Sequence, residues 1–219
     1  MKSILKKVIP AGVLKPLLTP YHITRGFLAA AINFFPARGQ KIIIITGTNG
    51  KTTTAAYMAR MLEESGWKVG VSTTAFFKIG DDYWLNDMNM TVTNPFVAQK
   101  ILKKMRKAKV DWMVIETTSH ALDQRRLWGV HPSIAVMTNL TQDHLDYHGT
   151  MAKYAQAKAR LFAHKPPVIV LNGDDEWFEY YDHFEARKIK QVYGSSPESN
   201  VRLTKAKLGR KGTEFEVQF

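Results

Sequence analysis

Apolar runs separated by amphipathic stretches dominate residues 41–172. Ile42-Ile43-Ile44-Ile45, "DWMVIE" at 111–116, "SIAVMTNL" at 133–140 and "PVIVLN" at 167–172 are short and rich in β-branched residues. Such runs predict strands buried on both faces of a parallel sheet. "WKVGVSTTAFFKIG" at 67–80 predicts a second strand after the first, with Asp81-Asp82 as a hairpin turn before Tyr83-Trp84-Leu85. Between the runs the period changes to that of helices. One is expected from Thr52 to about Glu64, and one opens at Pro95 and runs to about Ala108, because proline suits the first helical position. A third covers 151–164, with Met151, Tyr154, Ala155, Ala159, Leu161 and Phe162 near one another, and a fourth begins near Asp175. From Arg187 on, "KIKQVYG", "VRLTKAKLG" and "TEFEVQF" alternate and predict short antiparallel strands. The expected fold is α/β: a mostly parallel sheet flanked by helices, with a small antiparallel β region at the C-terminus and the site at the carboxyl-end loops.

Residues 1–40 differ from the rest. They mix apolar residues with Lys2, Lys6, Lys7, Lys15, Arg25 and Arg38, and their longest apolar stretch, Gly26 to Pro36, is about half of what a spanning helix requires. No cleavage site follows a continuous apolar core, which argues against a signal peptide. Two readings stay open: a pair of amphipathic helices packed on the sheet, or peripheral membrane contact through a basic, aromatic face. The division expected is a short helical segment at 1–40 and one larger domain at 41–219.

Composition narrows the chemistry. The chain has 219 residues, 45% of them hydrophobic and 23% charged, so it folds around a core. With no cysteine, disulfides and thiolate metal sites are excluded, and a cytoplasmic location fits. A net charge of +12 favours anionic partners. A nucleic-acid binder is disfavoured, because the cations are scattered over helices and turns rather than clustered with aromatics on one face.

The run "IIIITGTNGKTTTA" at 42–55 places a glycine-rich turn between an apolar run and a helix, the context of a phosphate-binding loop. Backbone N–H groups of the turn and helix start point at anionic oxygens, Lys51 adds a full charge, and the Thr52 hydroxyl falls where a Mg²⁺ ligand is expected. The match is G-x-x-G-K-T from Gly47 to Thr52, since Ile45 stands where the longer pattern has glycine. Two further loops leave strand ends with polar chemistry. "ETTSHALDQRR" starts with Glu116 at a strand tip, either a Mg²⁺ ligand beside Thr52 or a surface carboxylate. "NLTQDHLDYHGT" packs two aspartates and two histidines into 143–148, where an imidazole serves as metal ligand, base or loop-stabilising donor. Zinc held by His144 and His148 is disfavoured, because no third ligand of suitable spacing follows.

These segments, with "TNP" at 93–95, "TNLTQDHLDYHGTM" and "YAQAKARLF" at 154–162, resemble the Mur ligase family. Within it they look most like the enzymes that add the third amino acid to UDP-N-acetylmuramoyl-L-alanyl-D-glutamate. The resemblance implies a P-loop NTPase-like central domain, working with ATP and Mg²⁺, in which a substrate carboxyl is phosphorylated and an amine then attacks the acyl phosphate. Carried over by position, Gly47, Thr48, Asn49, Gly50, Lys51, Thr52 and Thr53 would bind the nucleotide. Thr52, Glu116, His144 and Lys158 would serve the metal ions, with Lys51, Glu116, His144 and Lys158 as the catalytic set. The lysine matching Lys158 is carbamylated in the family, which requires it to be neutral. Thr93, Asn94, Thr118, Gln124 and Arg126 match positions that hold the UDP-muramoyl-peptide, with Asn94 replacing the more usual threonine.

Set against the resemblance, only about forty differing residues precede the phosphate loop, and the sequence stops at Phe219. The chain is expected to be the central domain, a fragment or a reduced relative, without the family's N-terminal UDP-gripping and C-terminal amino-acid-binding domains. It shows no arginine-containing signature of the kind that selects diaminopimelate. The chain is therefore expected to bind ATP·Mg²⁺ without forming an amide alone. A separate chain supplying the missing domain is one expected partner; nucleic acid is not. A folylpolyglutamate- or cyanophycin-type ligase and a non-catalytic nucleotide-binding module are the alternatives.

Overall fold

The computed structural model describes residues 11–86, 92, 94–210 and 212–219, with side chains from residue 18 onward. Helix α1 (Ala11–Ile32) leads into β1 (Lys41–Thr46), α2 (Lys51–Glu64), β2 (Val69–Ser72), β3 (Phe76–Ile79) and β4 (Asp82–Leu85). Then come α3 (Pro95–Lys107), β5 (Trp112–Glu116), α4 (Ser119–Asp123), β6 (Ile134–Met137), α5 (Leu145–His148) and α6 (Met151–Ala159). The chain continues through β7 (Val168–Asn172), α7 (Phe178–Asp182), β8 (Ile189–Gly194), β9 (Val201–Gly209) and β10 (Gly212–Gln218).

All ten described strands form one sheet in the order β10-β9-β8-β7-β6-β1-β5-β2-β3-β4. β1 lies near its middle, parallel to both β5 and β6, so Ile45 is opposite Glu116 on one side and Val136 on the other. Because strand side chains alternate, the four isoleucines of β1 divide between two cores. Ile42 and Ile44 join Met113, Ile115, Met137 and Phe162 on one face. Ile43 and Ile45 join Val71, Val114, Ala55 and Ala59 on the other, beneath α2. Each large aliphatic or aromatic side chain among them stabilises the fold by about 1.5–3 kcal/mol, which fixes where the carboxyl-end loops emerge.

Several expectations are corrected. The 67–80 run is two antiparallel strands, β2 and β3, because Thr73 turns the chain: its Oγ1 accepts from Phe76 N, and its N–H donates to Phe76 O. The 187–194 segment is not antiparallel; β8 lies parallel to β7, and only β9 and β10 form an antiparallel pair after it. Alternation reports which face is buried, whereas direction is set by the crossover through α7. Of the segment before residue 40, part of the expected helix pair lies outside the described residues, and residues 11–32 form one helix running through Pro16 and Pro20. It packs on α3 and on the 125–128 segment, where Gly26 permits close approach: a Cβ there would lie 2.6 Å from Trp128 Cβ and 2.7 Å from Arg125 O. α6 ends at Ala159, earlier than expected, with turns to residue 164, and the helix expected near Asp175 begins at Phe178. α3 has the predicted Pro95 start.

Candidate active site

The turn after β1 is anchored by the turn after β6. Thr48 N donates to Asn139 O at 2.9 Å, Asn49 N donates to Asn139 Oδ1 at 2.9 Å, and Thr138 Oγ1 donates to Asn49 O at 2.7 Å. Gly47 makes this closeness workable, since a Cβ at that position would sit 1.8 Å from Thr138 Oγ1. The first backbone bond of α2 runs from Thr54 N to Gly50 O, so the amides of Gly50, Lys51, Thr52 and Thr53 precede the helical ladder at the positive end of the helix dipole. Gly50 has φ 79° and nothing within 4 Å of where a Cβ would be, which leaves the backbone approachable there.

Glu116 ends β5 beside this loop. Its side chain is buried and accepts from Thr52 Oγ1 at 2.8 Å, Thr74 N at 3.1 Å and Thr74 Oγ1 at 2.9 Å. The alternative of a surface carboxylate is thereby removed. Lys51 Nζ donates to Thr48 O at 2.6 Å, and burial lowers its pKa against the opposing pull of Glu116 and Asp143.

Lys158 is only 1% exposed, on the inner face of α6. Its Nζ donates to Gly47 O at 2.6 Å and lies 4.7 Å from the Tyr154 ring centroid. Burial first, and then the Lys51 charge, bring its pKa down to about 7, with Asp143 opposing. Tyr154 in turn meets Thr48, hydroxyl to hydroxyl, at 3.2 Å.

His144 adopts left-handed backbone (φ 52°) at the start of α5, with Nε2 3.4 Å from Asp143 Oδ2 and its ring edge-on to His120 at 4.8 Å. It is partly exposed, and no hydrogen bond joins it to Thr52 or Glu116. His148 is a structural partner: it is buried, its Nε2 is 2.9 Å from Ser119 Oγ, and burial followed by His120 lowers its pKa to about 4.

The residues expected to hold a muramyl-peptide are separated into helix starts and one network. Asn94 caps α3, accepting from Phe96 N at 3.0 Å, and Thr118 caps α4, accepting from Ala121 N at 3.2 Å. Arg126 donates to Gln124 Oε1 at 2.8 Å through Nη2 and to Val92 O at 2.5 Å through Nη1, while Gln124 Nε2 donates to Tyr147 OH at 3.1 Å. Thr93 lies outside the described residues. Sequence reasoning missed Thr74, Thr138 and Asn139, which fix the loop and its carboxylate, and Asp143, which faces both lysines. Only the closeness of Asn139 and Asp143 to the His-rich run hinted at them.

A model of the Mur ligase middle domain matches residues 45–219. The chain belongs to the Mur ligase family. Among relatives of this Mur ligase chain is the UDP-N-acetylmuramoyl-L-alanyl-D-glutamate–2,6-diaminopimelate ligase of Geobacillus kaustophilus, 37% identical over 218 residues, covering 95% of this chain and 44% of the relative. The UDP-N-acetylmuramyl-tripeptide synthetase 2 of Oceanobacillus iheyensis is 34% identical, covering 87% and 39%. A solved UDP-N-acetylmuramoyl-L-alanyl-D-glutamate–2,6-diaminopimelate ligase superposes with TM-score 0.78 at 28% identity, over 89% of this chain and 41% of that one. A Mycobacterium tuberculosis folylpolyglutamate synthase complexed with ADP shares the fold, with TM-score 0.72 at 18% identity, over 90% and 51%. The chain thus spans less than half the length of these curated relatives.

Proposed function

We propose that this chain is the ATP-handling part of a ligase of peptidoglycan precursor synthesis, one that joins a third amino acid to UDP-MurNAc-L-alanyl-D-glutamate in the cytoplasm. The observation that carries this reading is the convergence of Lys51, the Thr52–Glu116 pair and Lys158 on one short turn, Gly47 to Gly50. The names of the two curated relatives supply the substrate class.

The donor set fits a nucleotide with Mg²⁺. The amides of Gly50 to Thr53 and the Lys51 ammonium suit phosphate oxygens, while Thr52 Oγ1 and Glu116 offer hard oxygen ligands. Among the described residues no three His, Asp or Glu side chains form a metal cluster, as suits an ion held largely by phosphates and water. Mg²⁺, when bound, neutralises charge on the phosphates and polarises them. Lys51 and the loop amides hold the triphosphate while a substrate carboxylate oxygen forms a bond to the γ-phosphorus and the bond to ADP breaks. The amine of the incoming amino acid then adds to the acyl carbon, loses its proton and expels phosphate. His144, on the loop facing Lys51 and Lys158, is assigned to a second metal ion, and Thr93, Asn94, Thr118, Gln124 and Arg126 to the muramyl-peptide.

Lys158 deepens the reading. A pKa near 7 leaves a neutral fraction at physiological pH. Its nitrogen can therefore add to CO₂, releasing a proton and becoming a carbamate that keeps one N–H for the Gly47 carbonyl. The change replaces a cation with an anion beside the phosphate loop.

Phosphate release from ATP·Mg²⁺, measured with and without UDP-MurNAc-dipeptide and with bicarbonate added, tests the assignment. Substrate-stimulated release that disappears in Lys158→Ala is expected once the remaining part of a full-length ligase is present; this chain alone is expected to bind ATP and form no amide. Stimulated release undiminished in Lys158→Ala would remove Lys158 from the catalytic set.

A further inference from the structure

The surface formed by α1, the turn after it and α3 has no role in the site. Ala29 and Ala30 turn inward, and the outward side of the same stretch shows Phe27, Leu28, Ile32, Phe34 and Phe35. Phe34 is 75% exposed and Ile32 63%. Phe34 and Phe35 both have left-handed backbone, with φ 61° and 47°. Bulky residues rarely adopt this conformation, and it turns Phe34 outward at a cost in local strain.

The neighbouring helix is entirely basic in its charges. α3 contains Lys100, Lys103, Lys104, Arg106 and Lys107 and no acidic residue. Lys103 Nζ lies 5.0 Å from the Phe34 ring centroid, and Arg106 Nη1 donates to Phe35 O at 3.3 Å, so the cations and the apolar cluster share one surface. Lys100 and Lys107 flank Lys103 at helical spacing, three residues before and four after it, along the same stripe. None of these cations is ion-paired with a carboxylate among the described residues.

We propose that this face docks the protein peripherally on an anionic lipid bilayer, with Phe34, Ile32 and Leu28 entering the headgroup–acyl boundary and the α3 cations facing the lipid phosphates. Exposed apolar side chains beside an unpaired basic stripe meet both requirements of interfacial binding. A second copy of the chain is a poor occupant, since a two-fold contact would set the basic stripe against itself. Nucleic acid would stack on rings and neutralise cations, but it gives no partner to Ile32 and Leu28. Insertion needs no spanning segment, and no described helix is long and apolar enough to cross a membrane.

Vesicle flotation tests this directly, comparing phosphatidylcholine vesicles with vesicles of phosphatidylcholine and phosphatidylglycerol. Binding to the anionic vesicles alone, weakened by salt, is expected. Ile32→Ser with Phe34→Ser should weaken it by on the order of tenfold. Lys100→Glu, Lys103→Glu and Lys107→Glu together should abolish it. All five positions lie outside the nucleotide site, so unchanged ATP affinity and thermal unfolding confirm that the variants are folded. Failure to float with anionic vesicles overturns the proposal. So does binding that depends on the lysines but not on Ile32 and Phe34, which marks simple adhesion of a polycation. Tighter binding to a single-stranded oligonucleotide that displaces the vesicles overturns it in favour of a nucleic-acid face.

Discussion

β1 and the β9–β10 ribbon belong to one sheet and obey opposite rules. Five of the six β1 residues are buried, and the next loop is tied to a second loop by hydrogen bonds from Thr48, Asn49 and Thr138. Every residue of β10 is exposed, with Phe215 at 64%, and Leu208 of β9 reaches 85%. β9 meets the rest of the sheet through only two paired positions, Tyr193 with Val201 and Gly194 with Arg202. The middle of the sheet is held by side chains from two cores. The ribbon is held mainly by its own ladder, with Lys205 and Glu216 paired across it. Catalytic geometry requires groups fixed to within fractions of an ångström, so the chemistry belongs where packing from both faces fixes the backbone.

Gly47→Ala should break the site most severely. The added methyl collides with Thr138, so nucleotide affinity is expected to fall more than about a hundredfold, with a loss of about 2–4 kcal/mol in urea unfolding. Glu116→Gln preserves shape and removes charge. ATP binding measured by calorimetry should weaken by about tenfold in Mg²⁺ and much less in EDTA, if Glu116 serves the metal. An equal loss in both conditions would confine Glu116 to holding Thr52 and Thr74.

His148 tests the packed side of the comparison through pH. Its folded pKa, about 4, lies below the ordinary 6.5, so the unfolded chain binds more protons between these values. Stability from this group is complete above pH 6.5 and declines as pH falls toward 4, by about 1–2 kcal/mol after discounting for solvent screening. Chemical denaturation at pH 7 and 4.5 should reveal this slope, and His148→Gln should flatten it. The smallest effect is expected at the ribbon: Phe215→Ser should change unfolding free energy by under about 0.5 kcal/mol and leave ATP affinity unaltered. A larger loss of stability would mean that the ribbon is coupled to the core after all.

The sequence alone determined the elements that local chemistry specifies. Four isoleucines make a doubly buried strand, the glycines and Lys51-Thr52 after them make a tight turn into a helix start, and Pro95 opens α3. Each signal lies within a few residues, where periodicity and backbone preference act. The tertiary structure alone decided what depends on residues distant in the chain. Lys158 is separated from Gly47 by 111 positions, and only the fold buries it against that carbonyl and lowers its pKa. Glu116 gains its partners from Thr52 and Thr74, on two other loops. The direction of β8 escaped the sequence for the same reason: alternation encodes which face meets the core, while the crossover that returns the chain encodes direction. The pair of lysines at the Gly47–Gly50 turn is therefore a product of topology, because burial and the field of a neighbouring charge exist only after the chain has folded.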